Sequence, residues 1–136
     1  MATLARRSDP TGVAFATLTL AALDLDQDAL TMASSRVSAL LAEPPQHPVA
    51  VATTWSLRLA ISAAQGDLHE AASALDHLRQ RLAQASTAIL DLDILTACER
   101  AETELARHGS ALAEEVRRLA EDQREGLGLG ATPSVL

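Results

Sequence analysis

The sequence predicts an all-α fold built from about six helices in antiparallel hairpins, and three observations predict it. Apolar residues make up 48% of the 136 residues while aromatics supply only 1%, so the core must come from Ala and Leu. Those two residues have the best intrinsic helix propensity, and the β-branched and aromatic residues that suit strands are scarce. The apolar positions recur every three or four residues, the spacing of one helical face. Finally, the stretches that carry this period are separated by Pro-rich or Gly-Asp breaks of the kind that end helices.

The elements follow in order. Residues 1–10 form a polar extension ending in Ser8-Asp9-Pro10, and a first helix is predicted from about Thr11, with Phe15, Leu18, Ala22 and Leu25 at helical spacing. It ends among Asp24, Asp26 and Asp28, acids that suit the N-terminus of a second helix over about 27–43. Leu30, Ala33, Val37, Leu40 and Leu41 make the stripe of that helix, and Pro44 and Pro45 stop it. A third helix over 49–65 carries Trp55, Leu59 and Ala63 and closes at Gly66, which accepts the left-handed conformation found at helix ends. Asp67 caps a fourth, with Glu70 three residues on and the stripe Leu68, Ala71, Leu75, Leu78 and Leu82 leading to about residue 85. The fifth is expected over 87–107 with Leu95, Cys98, Ala101 and Leu105, and the sixth opens at Ser110 with Leu112, Val116 and Leu119. Residues 11–125 thus form one domain, and the Gly-rich segment 126–136 is expected to be a flexible tail.

The helices repeat. Laying the second on the fourth pairs Leu30 with Leu68, Ala33 with Ala71, Val37 with Leu75 and Leu40 with Leu78 at a constant shift of 38 positions. The first and third pair Leu18-Thr19-Leu20-Ala21 with Leu57-Arg58-Leu59-Ala60 at a shift of 39. Both fall in the range of roughly 34 to 47 residues found for helix-pair repeats. On Leu59-Ala60, Gly66-Asp67-Leu68, Glu70-Ala71, Leu75 and Leu78, with Pro45 ending the first unit, the chain resembles the tetratricopeptide repeat family over residues 11–85. That resemblance implies hairpins stacked into a right-handed superhelix whose inner face binds peptides or protein partners. A closed helical bundle is the alternative architecture.

Charge and composition narrow the functions. A net charge of −7 argues against nucleic acid, whose binding draws on clustered cations. All cations are Arg, and Lys, Asn and Tyr are absent, as a GC-rich bacterial genome would leave them. No stretch approaches the roughly 20 apolar residues that span a bilayer, and Arg6 and Arg7 are cut off from the apolar run after Val13 by Asp9 and Pro10, unlike an export signal. A cytoplasmic protein without membrane contact is expected. The lone Cys98 lies in an apolar stripe, so it is read as a buried, inert thiol.

No catalytic constellation is visible, and no cofactor is called for. Asp24, Asp26 and Asp28 copy the first positions of a calcium loop, but Ala29 and Ser35 stand where Gly and a bidentate Glu are needed. His69-Glu70 begins like a zinc-protease motif, yet Ser73 holds the place of the second His. No Ser sits in a nucleophile elbow. The functional expectation is a non-enzymatic protein- or peptide-binding helical module, regulatory in role. Its predicted contact face is Thr54, Arg58, Ile61 and Gln65 with Trp55 beside it, Arg58 gripping a carboxylate of the partner. The alternative is a small all-α metal-dependent enzyme or ligand-binding bundle using Glu70, Glu99 and Glu102. The apolar first helix, which no polar helix caps, further predicts a homodimer through that helix.

Overall fold

Ala- and Leu-rich segments of this length have one way to bury apolar surface, which is to lay helix on helix. The computed structural model describes residues 10–129, and within them six α-helices form: α1 (Pro10–Asp26), α2 (Leu30–Ala42), α3 (Pro48–Ala64), α4 (Leu68–Gln84), α5 (Leu92–Arg107) and α6 (Leu112–Gly126). No strand occurs among the described residues. Of the expected extension over 1–10 only Pro10 is described, as the first residue of α1. The protein is all-α, as its composition predicts.

The helices pair as α1/α2, α3/α4 and α5/α6, and α3 lies in the middle, packed closely on α1, α2, α4 and α5. Its composition explains the place. Arg58 is the one charged residue in the helix, and small side chains stand on every side, with Ala50, Ala52, Ala60 and Ala63 fully buried beside Leu59 and Ile61. A helix without a polar face is stable only when enclosed.

The turns carry their own chemistry. Gly66 adopts φ +76°, the N–H of Asp67 reaches the carbonyl of Ser62 at 2.9 Å, and the Asp67 carboxylate accepts from the Glu70 N–H at 3.1 Å to open α4. Between α1 and α2 the left-handed residue is Asp28, at φ +60°. The acids there do not cap α2 as the sequence suggests: Ala29 holds the cap position with no side-chain bond. Asp24 instead pairs with Arg36 of α2 at 2.6 Å, and Asp28 with Arg100 of α5 at 3.1 Å.

Two boundaries differ from expectation for identifiable reasons. The fifth helix starts at Leu92, later than residue 87, because Asp91 is extended and its carboxylate caps the Asp93 N–H at 2.8 Å. The backbone ahead of it is held by buried Gln123 of α6, whose amide donates to the Ile89 carbonyl at 2.9 Å and accepts from the Asp91 N–H at 3.3 Å. At the other end, the expected tail begins with structure: α6 includes Gly126, Gly128 turns at φ +77°, the Leu129 N–H bonds the Arg124 carbonyl at 2.9 Å, and Leu127 packs against the core. The remainder of that segment, residues 130–136, lies outside the described residues.

The overlaid units share part of their packing. Ala33 and Ala71 are both fully buried, as are Val37 and Leu75. Leu20 and Leu59, which the sequence overlay pairs, part company: Leu59 is 0% exposed inside the central helix and Leu20 is 45% exposed on α1, which has close neighbours only in α2 and α3.

Candidate functional site

The residues singled out on α3 come first. Thr54 is buried and donates its hydroxyl to the Ala50 carbonyl at 2.7 Å, and Ile61 is fully buried. Arg58 does grip a carboxylate, but an internal one: its Nε donates to Glu70 of α4 at 3.1 Å and its Nη1 to Ser34 of α2 at 3.4 Å. Trp55 is half-buried with its ring stacked on His77 of α4, centroids 4.0 Å apart and planes 8° from parallel. Gln65 is exposed at the end of the helix. This face therefore joins α3 to α2 and α4 through packing and ion-pairing groups, and Thr54 and Trp55 also line a small opening of about 120 Å³ with Leu41, Val51 and Arg81. Of the five expected contact residues, Thr54 and Ile61 are buried, Trp55 and Arg58 are partly exposed and Gln65 is exposed.

Two carboxylates of the alternative reading are held in ion pairs. Glu70 is held by Arg58, and Glu99 by Arg124 of α6 at 2.6 Å. Among the described residues no three of His, Cys, Asp and Glu gather as a metal cage would need. Cys98 is fully buried, and loss of water first, with Glu99 beside it second, pushes its thiol up to about 12, so it is not a nucleophile near neutrality.

A larger cleft lies on the other side of α3. Where α1 and α5 flank it, their side chains leave a cleft of about 230 Å³. Its floor is apolar, with Phe15, Leu18 and Ala22 from α1, Leu57 from α3 and Ala97 from α5. Thr19 and Thr96 stand at the exposed rim, and Asp26, Asp93 and Arg100 supply charge. α1 and α5 do not pack closely on each other, so the cleft is the gap that two hairpins leave when α3 separates them.

Arg100 bridges that gap. Its guanidinium donates to the Asp28 carboxylate at 3.1 Å, to the Leu25 carbonyl at 3.4 Å and to Glu104 at 3.2 Å, which ties α5 to the turn between α1 and α2. Glu104 is buried and takes a second arginine, Arg107, at 3.2 Å. The charge of Arg100 is thus consumed by the fold. Asp26 and Asp93 are different: neither carboxylate has an ion-pair or hydrogen-bond partner among the described residues. Partial burial first, and the nearby Asp91 second, hold the Asp93 carboxyl above the usual carboxylate range. No protein-family model, curated protein or solved structure matches the chain.

Proposed function

We propose that the chain is a non-enzymatic binding module, a tetratricopeptide-like array of hairpins that receives a segment of a partner protein in the cleft between α1, α3 and α5. The observation that carries this reading is the cleft itself, an apolar floor open at the surface between three helices and bordered by charged side chains. Its volume of about 230 Å³ is below the roughly 300–1,000 Å³ of sites that enclose a small molecule, and suits one or two anchoring side chains of a longer ligand. No helix among the described residues is long and apolar enough to cross a membrane.

Photo-crosslinking from the rim tests this. A crosslinking residue at Thr96 or Thr19 is expected to capture the same protein from a lysate of the source cell, and one at exposed Gln80 on α4 is expected to miss it. An identical capture pattern from all three positions would count against the cleft.

A second reading, self-association, is favoured by the outer face of α1. Val13, Leu20 and Leu23 are 55%, 45% and 50% exposed, and with Ala16 they form a stripe at spacings of three and four residues. The hydroxyls beside them turn inward, Thr17 to the Val13 carbonyl at 2.9 Å and Thr19 to the Phe15 carbonyl at 3.0 Å, and no charged residue occurs from Thr11 to Leu23. A helix apolar on all sides is expected to be covered, and a copy of the same uncharged face covers it without burying a charge. Light scattering is expected to give a dimer that Leu20→Glu converts to a monomer with unchanged helicity; a monomer at high concentration retires this reading.

A further inference from the structure

The cleft is not neutral, and the way its charges are placed says what fits it. Asp26 stands in the last turn of α1, a turn with no basic residue, where the negative end of the helix dipole makes a carboxylate unfavourable. Its neighbours Asp24 and Asp28 are compensated by Arg36 and Arg100, whereas Asp26 is left uncompensated at the rim of the cleft. Asp93 enters the same rim from the first turn of α5, without a cation of its own. Counting the groups these residues touch, five carboxylates (Asp26, Asp28, Asp91, Asp93 and Glu104) stand against two guanidinium groups, Arg100 and Arg107. The cleft is therefore an apolar hollow whose rim carries an excess of negative charge.

We propose that the occupant of this cleft is a segment of a partner protein that lays an apolar side chain on the floor formed by Phe15 and Leu57 and sets arginine or lysine side chains against Asp26 and Asp93. This inference rests on the cleft being the binding site and adds the chemistry of its ligand. The apolar side chain supplies the burial, since an isolated exposed ion pair is worth little. The cation supplies selection: an acidic or uncharged segment of equal apolar content leaves the two carboxylates uncompensated or meets repulsion. Arg100 does not take the ligand's place beside these two carboxylates because its guanidinium is directed to Asp28, Glu104 and the Leu25 carbonyl.

Selection of binders from a random peptide library displayed on phage, with the full chain as bait, tests the proposal. The selected peptides are expected to carry Arg or Lys within a few residues of Leu, Ile, Phe or Met. Synthetic copies, followed by fluorescence anisotropy, are expected to lose binding when Thr96→Trp fills the cleft. They are expected to weaken about tenfold in the Asp26→Asn/Asp93→Asn double variant, as two partly screened ion pairs imply. Asp26→Asn alone is expected to leave the melting temperature unchanged or higher, since it removes a charge from the wrong end of a helix, so weakened binding there cannot be a folding defect. Peptides that Thr96→Trp blocks but that show no preference for basic residues, or bind the double variant equally well, would overturn the charge inference and leave the cleft standing as the site. Peptides indifferent to Thr96→Trp, or a selection that returns no binder, would overturn both.

Discussion

Replacing Arg100 by Met is expected to destabilise the protein by about 3 kcal/mol, the low end of what it costs to remove one member of a buried ion pair. The value follows from what the side chain leaves behind. Glu104 is 7% exposed, and without Arg100 it keeps only Arg107, a residue whose own side chain is mostly in water. The Leu25 carbonyl at the end of α1 and the Asp28 carboxylate on the turn after it lose their link to α5 at the same time. Met preserves most of the aliphatic stem, so the loss reports the charge and its hydrogen bonds rather than packing. Urea unfolding followed by circular dichroism measures it. Adding Glu104→Leu to the Arg100→Met variant is expected to recover most of the stability, because the double change replaces the pair with apolar groups and leaves no orphaned carboxylate. A loss of under about 0.5 kcal/mol for Arg100→Met would mean that the pair behaves as a surface ion pair and that apolar packing alone holds the first hairpin to the third.

That staple bears on function because it sets the mouth of the cleft. The gap between α1 and α5 exists since α3 keeps them apart, and Arg100 fixes how far apart one end can move. A variant lacking it is expected to show faster amide exchange in the turn at 24–29 than in α3/α4, since that turn keeps few other ties to α5.

Much of this fold is legible in the sequence, and the parts that are not share a cause. Periodicity and punctuation locate all six helices, and the Gly66-Asp67 turn with its cap on Glu70 is read correctly because its chemistry is local. What periodicity does not carry is which face of a helix meets which neighbour. On α3 the residues Thr54, Arg58, Ile61 and Gln65 do form a stripe, but the helix has apolar or small residues on every side, and that all-round pattern is the sign of an enclosed helix. Given more weight, the isolation of Arg58 among uncharged residues would have predicted a partner inside the protein, which is where Glu70 and Ser34 hold it.

The later start of α5 and the ordered turn after α6 depend on Gln123, Leu127 and their distant contacts, which no local signal announces. Asp26 is an intermediate case. Its carboxylate at the C-terminal end of α1 breaks a rule of helix electrostatics, and that anomaly can be read directly from the sequence once the helix boundary is known. The acids 24, 26 and 28 look like the opening of the next helix only while that helix is started near residue 27, three residues ahead of Leu30.

Raising the pH above about 9 is expected to unfold the protein progressively, at a rate near 1.4 kcal/mol per pH unit, because of one buried thiol. Cys98 is fully buried in α5, and its folded value of about 12 lies well above that of a thiol in water. The sign follows from proton counts. Between the unfolded and folded values the native state still holds the thiol proton while the unfolded chain has lost it, so each step up in pH favours unfolding. Below pH 8 both states are protonated and the effect is absent; by pH 12 the full cost, on the order of 4 kcal/mol, has accumulated. The composition makes the measurement unusually direct. Lys and Tyr, the side chains that would otherwise titrate in this range, are absent, so Cys98 dominates there. Urea midpoints taken from pH 8 to pH 11 are expected to fall for the natural sequence and to stay nearly level for Cys98→Ala, after a small constant loss from the missing sulfur. A thiol reagent at pH 8 is expected to leave the folded protein unlabelled and to modify it once urea opens the core. Equal slopes in the two proteins, or rapid labelling of the native state, would show that the α5 face carrying Cys98 is open to water and that the packing of α5 against α3 is looser than its buried stripe of Ile94, Ala97, Cys98 and Ala101 implies.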